Sequence, residues 1–375
     1  MSADSCVWIA PQDIGLASVP ARRFGYEPSD RNTSGRDGLV DAEHKPHIPL
    51  RTLILGAGGA FGGRLARLLA ETGKFDLVLG GRSANRLEAV AAELRSEFHG
   101  ARIETLAIDR DDRSRNTLAP FSGGLVIDAA GPFQGQDHHF AAAAIAARAH
   151  YLDLADARDF VLGFERLDTP AKRAAVTAIS GASSVPALSS AVVADLARDL
   201  NVREISICIV PGAGKDWGRS VAQAILNQVG HTSERREAGE WRRVYVWQDL
   251  QHRVLRIGKK RPLTRLVSHC DAPDLDGFVR RYPNAETVTF HAGIDPGILH
   301  RGLWLLSFAV RWRWLASLAP FTDQLLSLAR QFTRRKPMRG GMLVEVSGEN
   351  PRGEYVRRCW TRIAPPGKGQ DSCWH

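Results

Sequence analysis

The sequence of 375 residues holds only five cysteines, Cys6, Cys208, Cys270, Cys359 and Cys373, and no two of them stand at metal-ligand spacing. This pattern excludes a disulfide framework and a cysteine-based zinc site, and it fits a reducing compartment. No basic stretch followed by an apolar core and a small-residue cleavage site is found near residue 1, so a cytoplasmic protein is expected. Internal repeats are absent, and no nucleic-acid motif accompanies the net charge of +9. The cationic excess gathers after residue 235, in ERREAGEWRR, RIGKKRPLTR and RQFTRRKPMR. Without such a motif these runs read as solvated basic faces, and no nucleic-acid partner is expected.

A bilayer-spanning run is also missing. The most apolar stretch, ILHRGLWLLSFAVRWRWLASLAPF at 298–321, carries Arg311 and Arg313 inside the only window long enough to cross. Each charge at bilayer depth costs about 2.5–3.5 kcal/mol even on a lenient scale. Two readings remain: a buried or dimer-forming helix pair broken at Pro320, or an interfacial helix in peripheral contact with a membrane. In the second, Trp304, Trp312 and Trp314 sit near headgroups and the arginines face phosphate.

What is present is ordinary globular composition, with 44% hydrophobic and 24% charged residues, and enough chain for about two domains. Residues 1–48 read as a poorly ordered polar extension and 365–375 as a polar tail. From 49 to 202, short apolar runs alternate with amphipathic ones. Strands are expected at 52–56, 76–80, 102–108, 125–130, 151–155 and 176–180, with helices near 60–72, 84–98, 136–149 and 188–200. Near-continuous apolar strands alternating with helices imply a doubly wound parallel sheet of the α/β class. From 203 to 364 the rhythm changes to strands joined by short turns, such as GGMLVEVSG and EYVRRCWTRIA around ENPRG. These predict an α+β domain with a mostly antiparallel sheet.

The first expected strand runs into LGAGGAFGGRLARLL, which sets Gly56, Gly59 and Gly62 at GxxGxxG with Gly58 and Gly63 interleaved; Phe61 occupies the position where a strict GxGxxG would end. In a strand-turn-helix unit such glycines allow a tight turn, a close backbone approach to a diphosphate, and contact of helix with strand. The helix N-terminus then offers free N–H groups to the phosphates. A dinucleotide is the ligand that fits. Its type follows from the second strand, where an acid would select NAD by binding the ribose 2′-hydroxyl. The sequence there is LGGRSANRLEAV, with Arg82, Ser83 and Arg86 and no carboxylate before Glu88. NADP is therefore expected in preference to NAD.

Further rim residues follow from strand ends. DAAGPFQGQ places Gly131, Pro132 and Phe133 beyond the fourth strand, HYLDLAD places Tyr151, Asp153 and Asp156 at the fifth, and SGASSVPALSSAVV places Ser183 after the sixth. Ligands in open α/β sheets lie outside the carboxyl ends of strands, so these loops are expected around the nicotinamide ribose.

Together, GAGGAFGGRLARLL, GGRSANRL, VIDAAGPFQGQ, HYLDLAD and SGASSVPALSSAVVADL resemble the saccharopine dehydrogenase-like family of NAD(P)-binding proteins. PGAGKDWG, CDAPDLDGF, RYPNAETVTFHAG and GGMLVEVSG extend the resemblance more loosely. It implies a Rossmann domain followed by an α+β substrate and dimerisation domain, a homodimer, and reduction of a small-molecule substrate. Two departures stand out. Ala144 occupies the position where saccharopine-forming members carry a cysteine, and the chain stops at APPGKGQDSCWH where similar members continue. The first argues against saccharopine as substrate, and the second implies a shortened second domain.

Hydride transfer to a carbonyl or imine calls for a proton donor near the acceptor. None of the five tyrosines has a lysine four residues on, which disfavours the Tyr-x-x-x-Lys mechanism of short-chain dehydrogenases. Tyr151 and Asp153 are the expected catalytic pair, two apart and so on one face of a strand. Asp156, Lys215 with Asp216, and Asp295 with His300 are further candidates. The Asp137, His138 and His139 cluster reads as a helix start. No metal site is expected. A binding module that senses NADP(H) without chemistry and a membrane-surface reductase acting on lipid-like substrates are the competing readings.

Overall fold

The computed structural model describes residues 7–8, 49–111, 115–212, 218–257, 262–333 and 339–363. Most of the expected 1–48 extension, the 365–375 tail, Lys215 and Asp216 lie outside the described residues.

After the two-residue β1 (Val7–Trp8), a parallel sheet forms from β2 (Leu50–Leu55), β3 (Phe75–Gly81), β4 (Ile103–Ala107), β5 (Leu125–Asp128), β6 (His150–Asp153) and β7 (Ala178–Ile179). Between them run α1 (Ala60–Thr72), α2 (Ala84–Glu97), α3 (Arg115–Leu118), α4 (His139–Ala146), α5 (Arg158–Gly163) and α6 (Asp168–Ala174). Because successive strand residues point to opposite faces, Leu53 and Leu55 pack with Phe140 and Ala144 of α4. Ile54 between them packs with Ala66 of α1 and Leu87 and Ala91 of α2. Both faces are covered, and this is the doubly wound sheet expected from the apolar strand pattern. Helix α1 sits close to the sheet because Gly62, Ala66 and Ala70, four apart, give it a small-residue face. It ends at Gly73, whose φ of 64° is the left-handed conformation glycine adopts at no steric cost.

The strand order is β4-β3-β2-β5-β6-β7, which is the Rossmann order. Chain direction across the sheet reverses between β2 and β5. A crevice opens there, at the carboxyl ends of the strands, and the glycine turn after β2 and the 129–133 loop after β5 border it.

The second unit comprises α7 (Ser189–Leu196), β8 (Asn201–Val210), α8 (Arg219–Gln228), β9 (Thr232–Glu237), β10 (Glu240–Tyr245), β11 (Gln251–Leu255), β12 (Leu263–His269), α9 (Asp274–Arg281), β13 (Thr287–Ala292), α10 (Gly297–Arg311), α11 (Thr322–Thr333), β14 (Gly341–Glu349) and β15 (Tyr355–Ile363). Its sheet runs β1-β15-β14-β8-β13-β12-β11, with the β9–β10 hairpin attached to β13. Among the described residues only β1–β15 and β8–β13 pair in parallel, so the sheet is mixed and mostly antiparallel. Strands β14 and β15 pair through the turn seen in sequence, where the Asn350 side-chain oxygen accepts the Arg352 and Glu354 N–H groups at 2.9 and 3.0 Å. Helices α7 and α9 bury Val192, Val193, Leu275 and Phe278 against Ile205, Ile207, Val344 and Trp360.

In the apolar 298–321 stretch, α10 buries His300, Leu303, Ser307 and Val310 and exposes Ile298, Leu305 and Leu306. Burial therefore accounts for one side of this helix. Among the described residues no helix is long and apolar enough to cross a membrane.

Candidate functional site

A cavity of about 1630 Å³ lies between the carboxyl ends of the parallel sheet and the second unit. Drug-sized ligands occupy about 300–1000 Å³, so this one has room for a dinucleotide and a second molecule. Its first wall is the glycine turn. Gly56 has φ +82°, and a Cβ there would lie 2.9 Å from the Ala129 backbone. A Cβ on Gly62 would lie 2.3 Å from the Gly56 oxygen. These two glycines let turn, strand and helix meet. Gly58, Gly59 and Phe61 line the cavity itself. Gly59 is the N-cap of α1 and carries no side chain, so the first amides of the 13-residue helix face an unobstructed approach.

Arg86 lines the cavity beside Gly58, with its side chain 3.3 Å from where a Gly58 Cβ would be. Arg82 and Ser83 are exposed between β3 and α2. Their loop stays next to the glycine turn because the Gly80 carbonyl accepts the Gly56 N–H at 2.9 Å.

The second wall is Gly131, Pro132 and Phe133. An arginine with no sequence signal positions it. Arg110 donates to Asp128 Oδ1 at 2.9 Å, to the Pro132 carbonyl at 3.3 Å and to the Ala130 carbonyl, and its guanidinium lies 4.3 Å from the Phe133 ring centroid. Burial pushes the Asp128 carboxyl upward in pKa, against the pull of Arg110.

The expected catalytic pair does not reach the cavity wall. Tyr151 is 1% exposed and stacked on Phe164, and its hydroxyl is beside Asp128 and Asp153 but outside hydrogen-bond geometry. Burial and those two carboxylates push its pKa well above the ordinary tyrosine value. Asp153 is fully buried, and its Oδ1 accepts N–H from Ala155 and Gly181 at 3.0 and 2.8 Å and the Ser180 hydroxyl at 2.9 Å. It holds the loop that carries Ser183. Ser183 does line the cavity, with its hydroxyl donating to the Val185 carbonyl at 2.6 Å.

Asp156, three residues on, faces the cavity and is in contact with its solvent. Gln134 Nε2 donates to it at 3.4 Å. From the second unit come Gln228, Trp247, Cys270 and Asp271. Cys270 lies 3.6 Å from Gln228 Oε1, and burial, with Asp271 and Asp156 nearby, pushes its thiol upward. The Trp247 indole N–H is buried with no partner. Asp271 pairs at 2.9 Å with Arg158 of α5, which also holds Asp276 and, at 2.8 Å, the Glu234 carbonyl. Sequence reasoning missed all of these except Asp156, because they come from separate segments that only the tertiary fold brings together.

The remaining candidates are structural. His300 is fully buried, hydrogen-bonded to Ser268 at 3.0 Å, and lowered by burial to a pKa of about 4. Asp295 is paired with Arg265 at 3.0 Å. Asp137 accepts the His139 N–H at 3.0 Å at the start of α4, and His138 bonds to the Phe160 carbonyl at 2.7 Å. Ala144, at the implied cysteine position, is fully buried in the α4 core.

Residues 52–179 match the family model described as the saccharopine dehydrogenase NADP binding domain. Over these residues the unit is similar to the NADP-binding domain of saccharopine dehydrogenases. The match is to an NADP-binding domain, the cofactor that the absence of an acid after the second strand led us to expect, and it supports an NAD(P)-dependent oxidoreductase. The structure of apo histidine-tagged saccharopine dehydrogenase (L-Glu forming) from Saccharomyces cerevisiae is similar over 86% of this chain and 87% of that chain. The identity is 13% and the TM-score 0.57, a likeness of fold that runs through both units. A short-chain dehydrogenase from Sphingobium yanoikuyae in complex with NADPH aligns with 36% of this chain and 70% of that chain, at 19% identity and a TM-score of 0.28. A search of curated proteins gives no match.

The residues present fit NADP. Gly58 and Gly59 leave backbone bare at the cavity wall, α1 directs unused amides there, and Arg86 adds a cation beside the turn.

Proposed function

We propose that the chain is an NADP-dependent reductase that transfers hydride to a C=N, C=O or C=C bond of a small-molecule substrate held between its two units. The observation that carries this reading is the single cavity shared by the glycine turn of the first unit and Gln228, Trp247 and Cys270 of the second. When bound, the cofactor supplies the hydride. The protein's own residues position and protonate. Gly56 and Gly62 set the geometry of the turn, while Gly58, Gly59, Phe61 and the α1 N-terminus receive the diphosphate. Arg82, Ser83 and Arg86 take the 2′-phosphate, and Gly131, Pro132, Phe133 and Ser183 flank the nicotinamide ribose.

Asp156 holds the proton in this reading, because it is the carboxyl past the end of β6 that faces the cavity. Asp153 is a positioning residue that acts through the Ser180–Ser183 loop. The chain is further expected to be cytoplasmic, from its scattered cysteines, and a homodimer, as the family resemblance implies; sedimentation velocity measures the second of these.

Fluorescence titration with NADPH and NADH, followed by NADPH oxidation assays on a panel of imines, ketones and enoyl thioesters, tests the reading. Tighter NADPH binding and turnover with at least one panel class are expected. Equal affinity for NADH would remove the role of Arg82, Ser83 and Arg86. One competing reading, an NADP(H)-binding module without chemistry, is favoured by the withdrawal of Tyr151 and Asp153 from the cavity wall. Turnover of any panel member excludes it.

A further inference from the structure

Among the described residues the outer face of α10 has no partner. Ile298, Leu305 and Trp312 recur every seven residues and so share one side of the helix, with exposures of 59%, 62% and 56%. Trp314 just beyond is 72% exposed. The aromatic rings run along the surface as a ladder: Trp304 to Phe308 at 5.2 Å, Phe308 to Trp312 at 5.4 Å, and Trp312 to Trp314 at 5.1 Å. The opposite side is anchored, since Leu303 and Val310 belong to a core shared with Leu226 of α8 and Trp247. The helix cannot turn its apolar outer face inward without giving up that core.

Charge decides what covers this face. Between Asp295 and Asp323 the sequence has no acid, and it places Arg301, Arg311 and Arg313 along and beside the ladder. Arg311 is fixed by a 2.6 Å bond to Gln248 and by stacking over Tyr245. Arg301 and Arg313 are exposed. A symmetric contact between two copies would bring these cations together around the apolar centre with no acid of the segment to pair them. An anionic lipid surface satisfies both features at once: phosphate receives the arginines, and tryptophan rings sit at headgroup depth. The 15-residue helix is too short and too charged to cross, and suits lying in the plane of the interface.

We propose that the outer face of α10, with the Trp312–Trp314 turn, docks on the anionic surface of a lipid bilayer. The proposal stands independently of the reaction assigned to the cavity.

Co-sedimentation of the full chain with vesicles tests it, using phosphatidylcholine alone and an equal mixture of phosphatidylcholine and phosphatidylglycerol, together with sedimentation velocity without lipid. Three proteins are compared: the wild type, the Leu305→Glu/Trp314→Glu double variant and Arg313→Glu. An NADPH titration on each preparation shows that the fold and the cavity are intact, and no altered position lines the cavity. The expected result is binding of the wild type to the mixed vesicles and not to neutral ones, weakened by added salt. Affinity should fall roughly tenfold or more in the double variant, from two lost apolar burials, and measurably in Arg313→Glu. Failure of the wild type to bind mixed vesicles overturns the proposal. So does unchanged binding of a double variant that still takes up NADPH. A wild-type dimer that the double variant converts to monomer, with no vesicle binding by either, assigns the face to a second copy and also overturns it.

Discussion

The guanidinium of Arg110 lies 4.3 Å from the Phe133 ring centroid while its Nη2 donates to Asp128 at 2.9 Å, so one buried side chain fixes both the end of β5 and the loop that borders the cofactor crevice. Replacing it with alanine leaves Asp128 buried and unpaired. Breaking a buried pair in this way costs about 3–5 kcal/mol, offset in part when Asp128 takes up a proton. Arg110→Ala should show a lower urea midpoint and weaker NADPH binding together. A variant with wild-type stability and affinity would show that the loop holds its shape without this arginine.

The glycine turn makes a sharper prediction, because two glycines in it do different work. In Gly62→Ala the added methyl meets the Gly56 oxygen at 2.3 Å, backbone that has no room to give. Overpacking of this kind costs about 1–3 kcal/mol, so a loss of stability is expected in thermal unfolding. Gly59→Val instead puts bulk at the N-cap of α1, where the diphosphate approaches. Its main effect should be on the NADPH dissociation constant. Unchanged nucleotide uptake in Gly59→Val would remove the turn from the binding site.

Tyr151, Asp153 and Asp156 separate by kinetics. Tyr151→Phe removes a hydroxyl buried beside Asp128 and Asp153 and away from the cavity wall, so turnover should stay near wild type. Asp153→Asn disturbs the acceptor of the Gly181 and Ser180 bonds, so NADPH binding should weaken while the shape of the pH profile persists. In the wild type, reductive turnover should fall as pH rises through the titration of Asp156, since in this reading the donor must carry its proton. Asp156→Asn should flatten that limb and lower kcat by about 10²–10⁴. An unaltered profile would clear Asp156 of proton transfer.

Stability should depend on pH in two opposed ways. His269 and His300 are fully buried with pKa values lowered by burial to about 3 and about 4. The unfolded chain therefore binds more protons as pH falls below about 6.5, and each histidine removes roughly 1.4 kcal/mol per pH unit down to its folded value. Asp274 runs the other way. Burial raises its carboxyl to about 7, so the folded state holds the extra proton and stability falls as pH rises from the ordinary carboxyl range toward 7. Asp274→Asn should match the wild type near pH 4 and exceed it increasingly toward pH 7 in urea titrations. A difference independent of pH would contradict this.

The architecture was legible because its signals are periodic or local. Apolar strands bounded by glycine, and a helix with small residues every four positions, can be read one segment at a time. The missing acid after the second strand was legible for the same reason. The cavity wall was not. Tyr151 and Asp153 share one face of β6, and that face turns into the core; Asp156, past the strand end, escapes the alternation and faces the cavity. Arg110 follows β4 without a motif, and Gln228, Trp247 and Cys270 converge through the second sheet, which no spacing along the chain encodes. Composition marked 298–321 as apolar, but only packing shows that Leu303 and Val310 are covered and Leu305 is not.

Arg158 has one further consequence. It stands on α5 of the first unit and grips Asp271, which lines the cavity, and Asp276 of the other unit. Parting the two halves strains this clasp, and mobile ions compete for its charges as soon as it loosens. Turnover limited by product departure would therefore quicken with ionic strength, with the clasp acting as a latch whose stiffness the surrounding electrolyte sets.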